Sequence, residues 1–226
     1  MKRFENLPAR IAKLPQNEMG FPIPWFAAVV NGQRDFRVID PRQMAIAVRR
    51  KLCWVCGEPM GRHMSFVIGP MCGVNRTISD PPSHKECAEF SAMNCPFLSR
   101  PLAKRRHDGL DDMKEAAGHG IKRNPGAVGV WTTLSYKTFK PQVGNPGILF
   151  ELGEPEELRW FANGRVATDD EVHASVASGL PLLIEMAAEE GPEAIQYLGV
   201  VLAKFEKLSG LSFPGIISTY LTGGTI

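Results

Sequence analysis

Cys53-Trp54-Val55-Cys56-Gly57 sets two thiols three positions apart, and His84-Lys85-Glu86-Cys87 sets an imidazole and a third thiol at the same spacing. A tight turn brings both sulfurs of the first pair to one side, and glycine after the second relieves the backbone. The pattern Cys-x2-Cys-x27-His-x2-Cys supplies three thiolates and one imidazole, the donor set of a closed tetrahedral zinc site. Cys53, Cys56, His84 and Cys87 are therefore the candidate ligands, with Zn2+ the expected ion. Cys72, in Gly69-Pro70-Met71-Cys72-Gly73, is the alternative fourth ligand, and a four-thiolate site would leave His84 free. Cys95, ahead of Pro96, is expected in the core. Five cysteines, an odd number with no secretory signal beside them, argue against a disulfide framework.

The second pair needs a helix to present it. Pro81-Pro82 cannot lie inside one, and Ser83 with Glu86 reads as a capping box, so the helix is expected to begin at His84. His84 and Cys87 then share one face of its first turn, where the helix N-terminus favours a thiolate. Between the pairs, residues 64–68 and 74–78 predict a hairpin around Gly69-Pro70. Knuckle, hairpin and helix in this order resemble a treble-clef zinc finger over residues 53–95, within a zinc-binding module of 53–98. That likeness implies a shape and no particular activity, since treble clefs serve ribosomal proteins, nucleases and interaction modules alike. Gly69-Pro70-Met71-Cys72, Ser83-His84-Lys85-Glu86-Cys87-Ala88-Glu89 and Cys95-Pro96-Phe97-Leu98 also resemble a group of bacterial and phage Cys/His-cluster proteins of unknown function. The resemblance covers most of the chain and implies the same order of parts: hairpin, cysteine cluster, acidic C-terminal helices.

Catalysis is the weaker expectation. His63, Asn75 and His84 follow the order of HNH endonucleases, which use such residues to hold a divalent ion and polarise water. Arg62 stands where those enzymes carry an acidic residue before the first histidine, and His84 cannot serve two metals. An open zinc site would need a base such as Glu58 or Glu86, yet no deaminase or metalloprotease pattern accompanies it. His107, His119 and His173 lack partners by spacing and read as surface residues.

Charge points towards binding. Residues 1–150 carry 22 Lys and Arg against 12 Asp and Glu, and residues 151–226 carry 4 against 12, so a net charge of +2 hides two opposed halves. Such a split fits a nucleic-acid-facing half, or attraction between the halves or between copies. Arg49, Arg50, Lys51, Arg62, Arg76, Lys104, Arg105 and Arg106 are the candidate phosphate contacts. Trp54 and Phe66 are expected to pack beside the knuckle rather than to stack on bases. The expected function is a non-enzymatic zinc protein with a structural site and a basic surface for DNA, RNA or a partner. The alternatives are an HNH-like nuclease and a protein adaptor working through the acidic helices.

The remaining elements frame that site. With 44% apolar and 22% charged residues the chain is of globular composition, and its length suits one or two domains. No apolar run is long enough to span a bilayer, so a cytoplasmic protein with no membrane partner is expected. In region 1–52, Asn31-Gly32 between β-rich runs predicts a hairpin, and Asp40-Pro41 a cap and first position for a helix over 41–51. Region 99–126 reads as a basic loop or arm. Region 127–165 holds the later strands: 128–139, 148–152 and 158–161, with turns at two Asn-Pro-Gly triplets and at Asn163-Gly164. In 166–210, Thr168-Asp169-Asp170-Glu171 is a capping box, Gly179-Leu180-Pro181 and Gly191-Pro192 are breaks, and three helices are expected, with 211–226 a loose tail. The fold class is α+β: a mostly antiparallel sheet of about five strands that the first hairpin joins, an inserted zinc module and C-terminal helices.

Overall fold

The computed structural model describes residues 3–101, 103, 117, 124, 126–142 and 144–213. It is mixed helix and sheet. The chain order is α1 (Ala9–Ala12), β1 (Ala27–Val30), β2 (Gln33–Ile39), α2 (Pro41–Arg50), β3 (Met64–Ile68), α3 (Pro70–Asn75), β4 (Thr77–Ile78) and α4 (Lys85–Asn94). There follow β5 (Val128–Thr133), β6 (Tyr136–Phe139), β7 (Leu149–Leu152), β8 (Pro155–Ala162), β9 (Arg165–Val166), α5 (Asp169–Glu190) and α6 (Pro192–Ser209). Three antiparallel sheets replace the single sheet of about five strands: β1-β2, β3-β5-β8-β9 and β4-β7-β6. The first hairpin turns at Asn31 (φ 51°) and Gly32 (φ 81°) as expected, but it forms its own two-stranded sheet.

The four-stranded sheet is the centre of the molecule. All six residues of β5 are buried: α4 covers one face, and on the other Trp131 packs with Ile78 of β4 and Phe150 and Leu152 of β7. Val128 and Val130 of β5 and Phe161 of β8 face Ala88 and Ala92 of α4. On the opposite face, Trp160 and Ala162 of β8 meet Met71 and Val74 of α3, Val176 and Leu180 of α5, and Leu202 and Phe205 of α6. The alternation is the period-two pattern of a pleated strand. α4 is also pinned by ion pairs from Lys85 to Glu157 and from Arg159 to Glu89 on β8.

Several local expectations are corrected. The hairpin over 64–68 and 74–78 does not form: β3 pairs with β5, β4 pairs with β7, and residues between them make α3. Pro70 is the first residue of that helix, where its missing N–H costs nothing, rather than part of a turn. Ser83 is not a cap. It exchanges both backbone bonds with Ser65 of β3, which leaves His84, in extended conformation, as the N-cap of α4. The C-terminal region has two helices, because α5 runs unbroken through Pro181. Pro181 and Ala177, whose carbonyl loses its partner there, both face solvent, while Val176, Leu180 and Ala187 on the inner face hold the helix to the core. The run 128–139 likewise divides into β5 and β6, which lie in different sheets. The capping box of α5 is as expected, with Thr168 and Glu171 each accepting the other's backbone N–H. Leu211 and Phe213 are buried against α6, so the first residues of the anticipated tail belong to the core. Most of the basic arm and residues 214–226 lie outside the described residues. Among those described, no helix is long and apolar enough to cross a membrane.

Candidate metal centre

The knuckle is built by its own backbone. Cys53 N–H donates to the Glu58 carbonyl (2.8 Å), Gly57 N–H to the Cys53 carbonyl (2.8 Å), and Leu52 pairs with Pro59. Gly57 has φ 75°, and a Cβ there would stand 2.6 Å from the Trp25 ring, so both conformation and space require glycine. Trp54 N–H donates to the Pro82 carbonyl (3.0 Å), which fastens the knuckle two residues ahead of His84. The bond between Ser65 and Ser83 then sets the height at which α4 starts. Knuckle and helix are thus placed by a strand edge, without the intervening hairpin of a treble clef.

These contacts gather Cys53, Cys56, His84 and Cys87, whose ligand atoms all lie within 4.8 Å of one another. A tetrahedral ion with bonds of about 2.3 Å to sulfur needs its ligand atoms about 3.8 Å apart, so the cluster can hold one metal ion with little movement. Cys53 and Cys87 are fully buried, while Cys56 and His84 are partly exposed. His84 Nδ1 lies 3.4 Å from Cys56 Sγ, and its Nε2 lies 3.1 Å from the Pro59 carbonyl. A proton on Nε2 satisfies that carbonyl and leaves Nδ1 as a lone-pair donor facing the sulfurs. This is the outer-shell bond that commonly orients a metal-binding histidine.

The electrostatics are compatible with a cation. Thiol hydrogen bonds from Cys56 and Cys87 hold the Cys53 thiol far below its usual range, helped by N–H donation from Cys56 and His84 at 3.4 Å each. The charge so placed pushes Cys56 up to about 11 and drives Cys87 far upward, the hydrogen bond to Cys53 being the leading cause for both. Neighbouring thiolates disfavour one another, and a bound divalent cation would relieve that repulsion.

Several residues around the centre have no sequence signal. Ile11 of α1 packs with Cys53, Val55 and Cys87, flanked by Leu7, Leu14, Met60 and Phe90. Arg10 bridges Glu58 on the knuckle (3.1 Å) to Glu86 on the first turn of α4, and Lys13 joins Glu58 at 2.8 Å. Glu58 and Glu86, weighed above as a base or a cap, are thus partners of an N-terminal clamp. A short helix some 50 to 80 positions away in the chain cannot be matched to them by spacing.

Other candidate residues fall elsewhere. Cys72 lies in α3 beside the cluster of Phe66 and Phe150, where burial pushes its thiol up to about 11, and it is His84 that joins the three sulfurs in the group that could hold an ion. Cys95 is the C-cap of α4 and half-buried. His63 is exposed and pairs with Glu156 at 3.0 Å, and Asn75 is exposed at the end of α3. Trp54 is buried and stacks on Phe26 at 4.7 Å, and Phe66 is fully buried, so neither is offered to a base. Arg49 and Arg50 end α2, Lys51 caps it at φ 51°, and Arg62 follows the knuckle. All four are exposed and form no ion pair among the described residues. Met60 N–H donates to the Lys51 carbonyl (3.1 Å), which brings the two segments together. Arg76 turns inward instead, donating to the Leu152 carbonyl (2.7 and 3.0 Å) and to Glu154 (2.6 Å). Lys104, Arg105 and Arg106, with His107 and His119, lie outside the described residues. His173 meets the Ser212 carbonyl at 2.9 Å.

The opposed charges of the two halves partly meet inside the molecule. Glu154, Glu156 and Glu157 around the start of β8 pair with Arg76, His63 and Lys85. No family model, no curated protein and no solved structure matches this chain.

Proposed function

We propose that this is a non-enzymatic zinc protein in which one structural Cys3His site fastens the N-terminal segment, hairpin and α2 to α4, and presents a basic surface to nucleic acid. The observation that carries the structural role is the completeness of the site. Four protein ligand atoms converge, two of them fully buried, and His84 is oriented by Pro59. A catalytic zinc keeps one position for water, and here protein atoms account for all four. Three thiolates with one imidazole suit zinc better than magnesium or calcium, which take oxygen. The engagement of His63 by Glu156 and of His84 in the cluster removes support from a nuclease centre.

The nucleic-acid side of the reading rests on Arg49, Arg50, Lys51 and Arg62, which are exposed close to the knuckle and have no acidic partner among the described residues. Part of this placement is ordinary, since cations at a helix C-terminus answer its dipole. Arg62 lies on no helix and extends the positive surface beyond that effect. Metal analysis of the purified chain, with X-ray absorption at the zinc edge, tests the site: one zinc with three sulfurs and one nitrogen is expected. A water oxygen in the shell, or a folded chain carrying no metal, would overturn the structural assignment.

A further inference from the structure

α6 has a covered face and a bare one. Leu198, Leu202 and Phe205 are buried in the core with α3, α5 and β8, and Ala194, Ile195 and Val201 pack at its border. The other face carries Glu193, Tyr197, Val200, Ala203, Lys204 and Lys207, all exposed. Tyr197 and Val200 are 69% and 66% exposed, more than any other large hydrophobic side chain among the described residues. Single exposed apolar residues are ordinary, but these two stand one turn apart on the same stripe.

The charges of this stripe are arranged about Val200. Glu193 lies seven residues before it and Lys207 seven residues after, two turns and about 10 Å each way. Neither forms an ion pair among the described residues. Lys207 stands apart in this among the four basic residues of 151–226, since Arg159, Arg165 and Lys204 pair with Glu89, Glu171 and Glu154. Glu189 and Glu190, exposed at the end of α5, add to the acidic end. The helix dipole favours acid at the start of α6 and a cation at its end. It gives no reason for a bare tyrosine and valine between them.

We infer that this face binds a second copy of the chain, α6 against α6, antiparallel about a two-fold axis at Val200. A stripe that reads acid, apolar pair, base is its own complement when reversed. That is the requirement of a two-fold interface, in which both copies use the same patch, and it favours a second copy over an unrelated protein. Val200 then meets its counterpart, and Tyr197 lies over Ala203 of the second copy, whose small side chain leaves room for the ring. Glu193 faces Lys207 of the second copy, and symmetry repeats that pair at the other end. One pair of helices makes a small interface, so the dimer should be reversible rather than permanent.

Sedimentation equilibrium on the full zinc-loaded chain tests this. A monomer–dimer equilibrium in the micromolar range is expected. Val200→Glu sets two like charges at the axis, on a position already exposed, and should leave a monomer throughout. Glu193→Lys and Lys207→Glu each bring like charges together at both ends and should weaken the dimer at least about tenfold. The two single variants mixed in equal amounts should recover the dimer, because a mixed pair sets a lysine against a glutamate at both ends. A chain that stays monomeric up to millimolar concentration would overturn the inference, whether the face is bare or covered by another part of the same chain. A dimer that survives Val200→Glu with circular dichroism unchanged would overturn it too, and would place the interface elsewhere. Failure of the mixture to recover the dimer would refute the antiparallel pairing on which the inference stands.

Discussion

Removing the metal should detach one part of the molecule and spare another, in a pattern the packing defines in advance. Among the described residues, the only buried cluster that contains candidate ligands is that of Ile11, Cys53, Val55 and Cys87. Apart from the cysteines, its buried side chains are Ile11 and Val55, whose burial contributes about 3–6 kcal/mol together. The ion pairs of Arg10 and Lys13 are more than a third exposed at one or both partners, so solvent screening leaves them a small share. A structural zinc would contribute about 10–16 kcal/mol at neutral pH, more than the apolar burial and the ion pairs that hold the knuckle to α4. The sheet does not share this dependence. α4 stays docked through Ala88 and Ala92 against Val128, Val130 and Phe161, and through two ion pairs to β8. Hydrogen exchange after treatment with a strong chelator, or in Cys87→Ala, reads both parts at once. The amides of Cys53, Trp54 and Gly57 should lose protection by about a thousandfold or more, since 4 kcal/mol already gives that factor. Those of β5 should keep theirs. Retained protection at the knuckle would show that the ion is not what holds it. Simultaneous loss in β5 would show that the two cores are not independent.

Two further outcomes follow from single contacts. Gly57→Ala forces a side chain at φ 75° and sets its Cβ against the Trp25 ring, whereas Gly32→Ala at φ 81° meets nothing within 4 Å. Chelator competition should therefore show much weaker metal binding in the first and little change in the second, and equal behaviour would refute the steric account. Arg165 (2.8 and 2.9 Å), then the Thr168 backbone, hold the Glu171 carboxyl down to about 2. A carboxylate depressed in the fold stabilises it above its ordinary value of about 4.3 and loses that effect as pH falls towards 2. The Glu171 carboxyl resonance should accordingly titrate near 2, and Arg165→Gln should move it upward. An unchanged midpoint in that variant would exclude the ion pair as cause.

What was legible in the sequence was local. The cysteine knuckle, the His-x2-Cys pair, the two Asn-Gly turns, the Asp40-Pro41 start of α2 and the Thr168 box each lie within a few residues, so spacing alone identifies them. Partnerships across long stretches were not legible. β3 and β5 pair across about 60 positions, and the Arg10 clamp reaches 76 residues to Glu86, with no periodicity to announce either. The divided charge suggested a docking face, yet three of the acidic residues around the start of β8 answer cations within the same molecule.

Glycine shows why such readings fail in a particular direction. Gly179, two residues before Pro181, resembles punctuation, and an expected helix break falls there; Gly73 ends the stretch Gly69–Gly73 next to the expected hairpin turn at Gly69-Pro70. Gly73 is instead where the Phe205 ring of α6 comes so close that a Cβ would stand 2.7 Å from it. Gly179 plays the same part for Met71 of α3, at 2.8 Å, from within an unbroken α5. Neither has a left-handed φ, in contrast to Gly32, Gly57 and Gly164, which do turn the chain. A glycine that turns the backbone is explained by its sequence neighbours, and Asn31 or Asn163 gives it away. A glycine that admits another helix is explained by a residue more than a hundred positions distant. The first kind shaped the hairpins and the metal knuckle, which were found. The second kind joins α3, α5 and α6 into the core that should survive when the metal is removed.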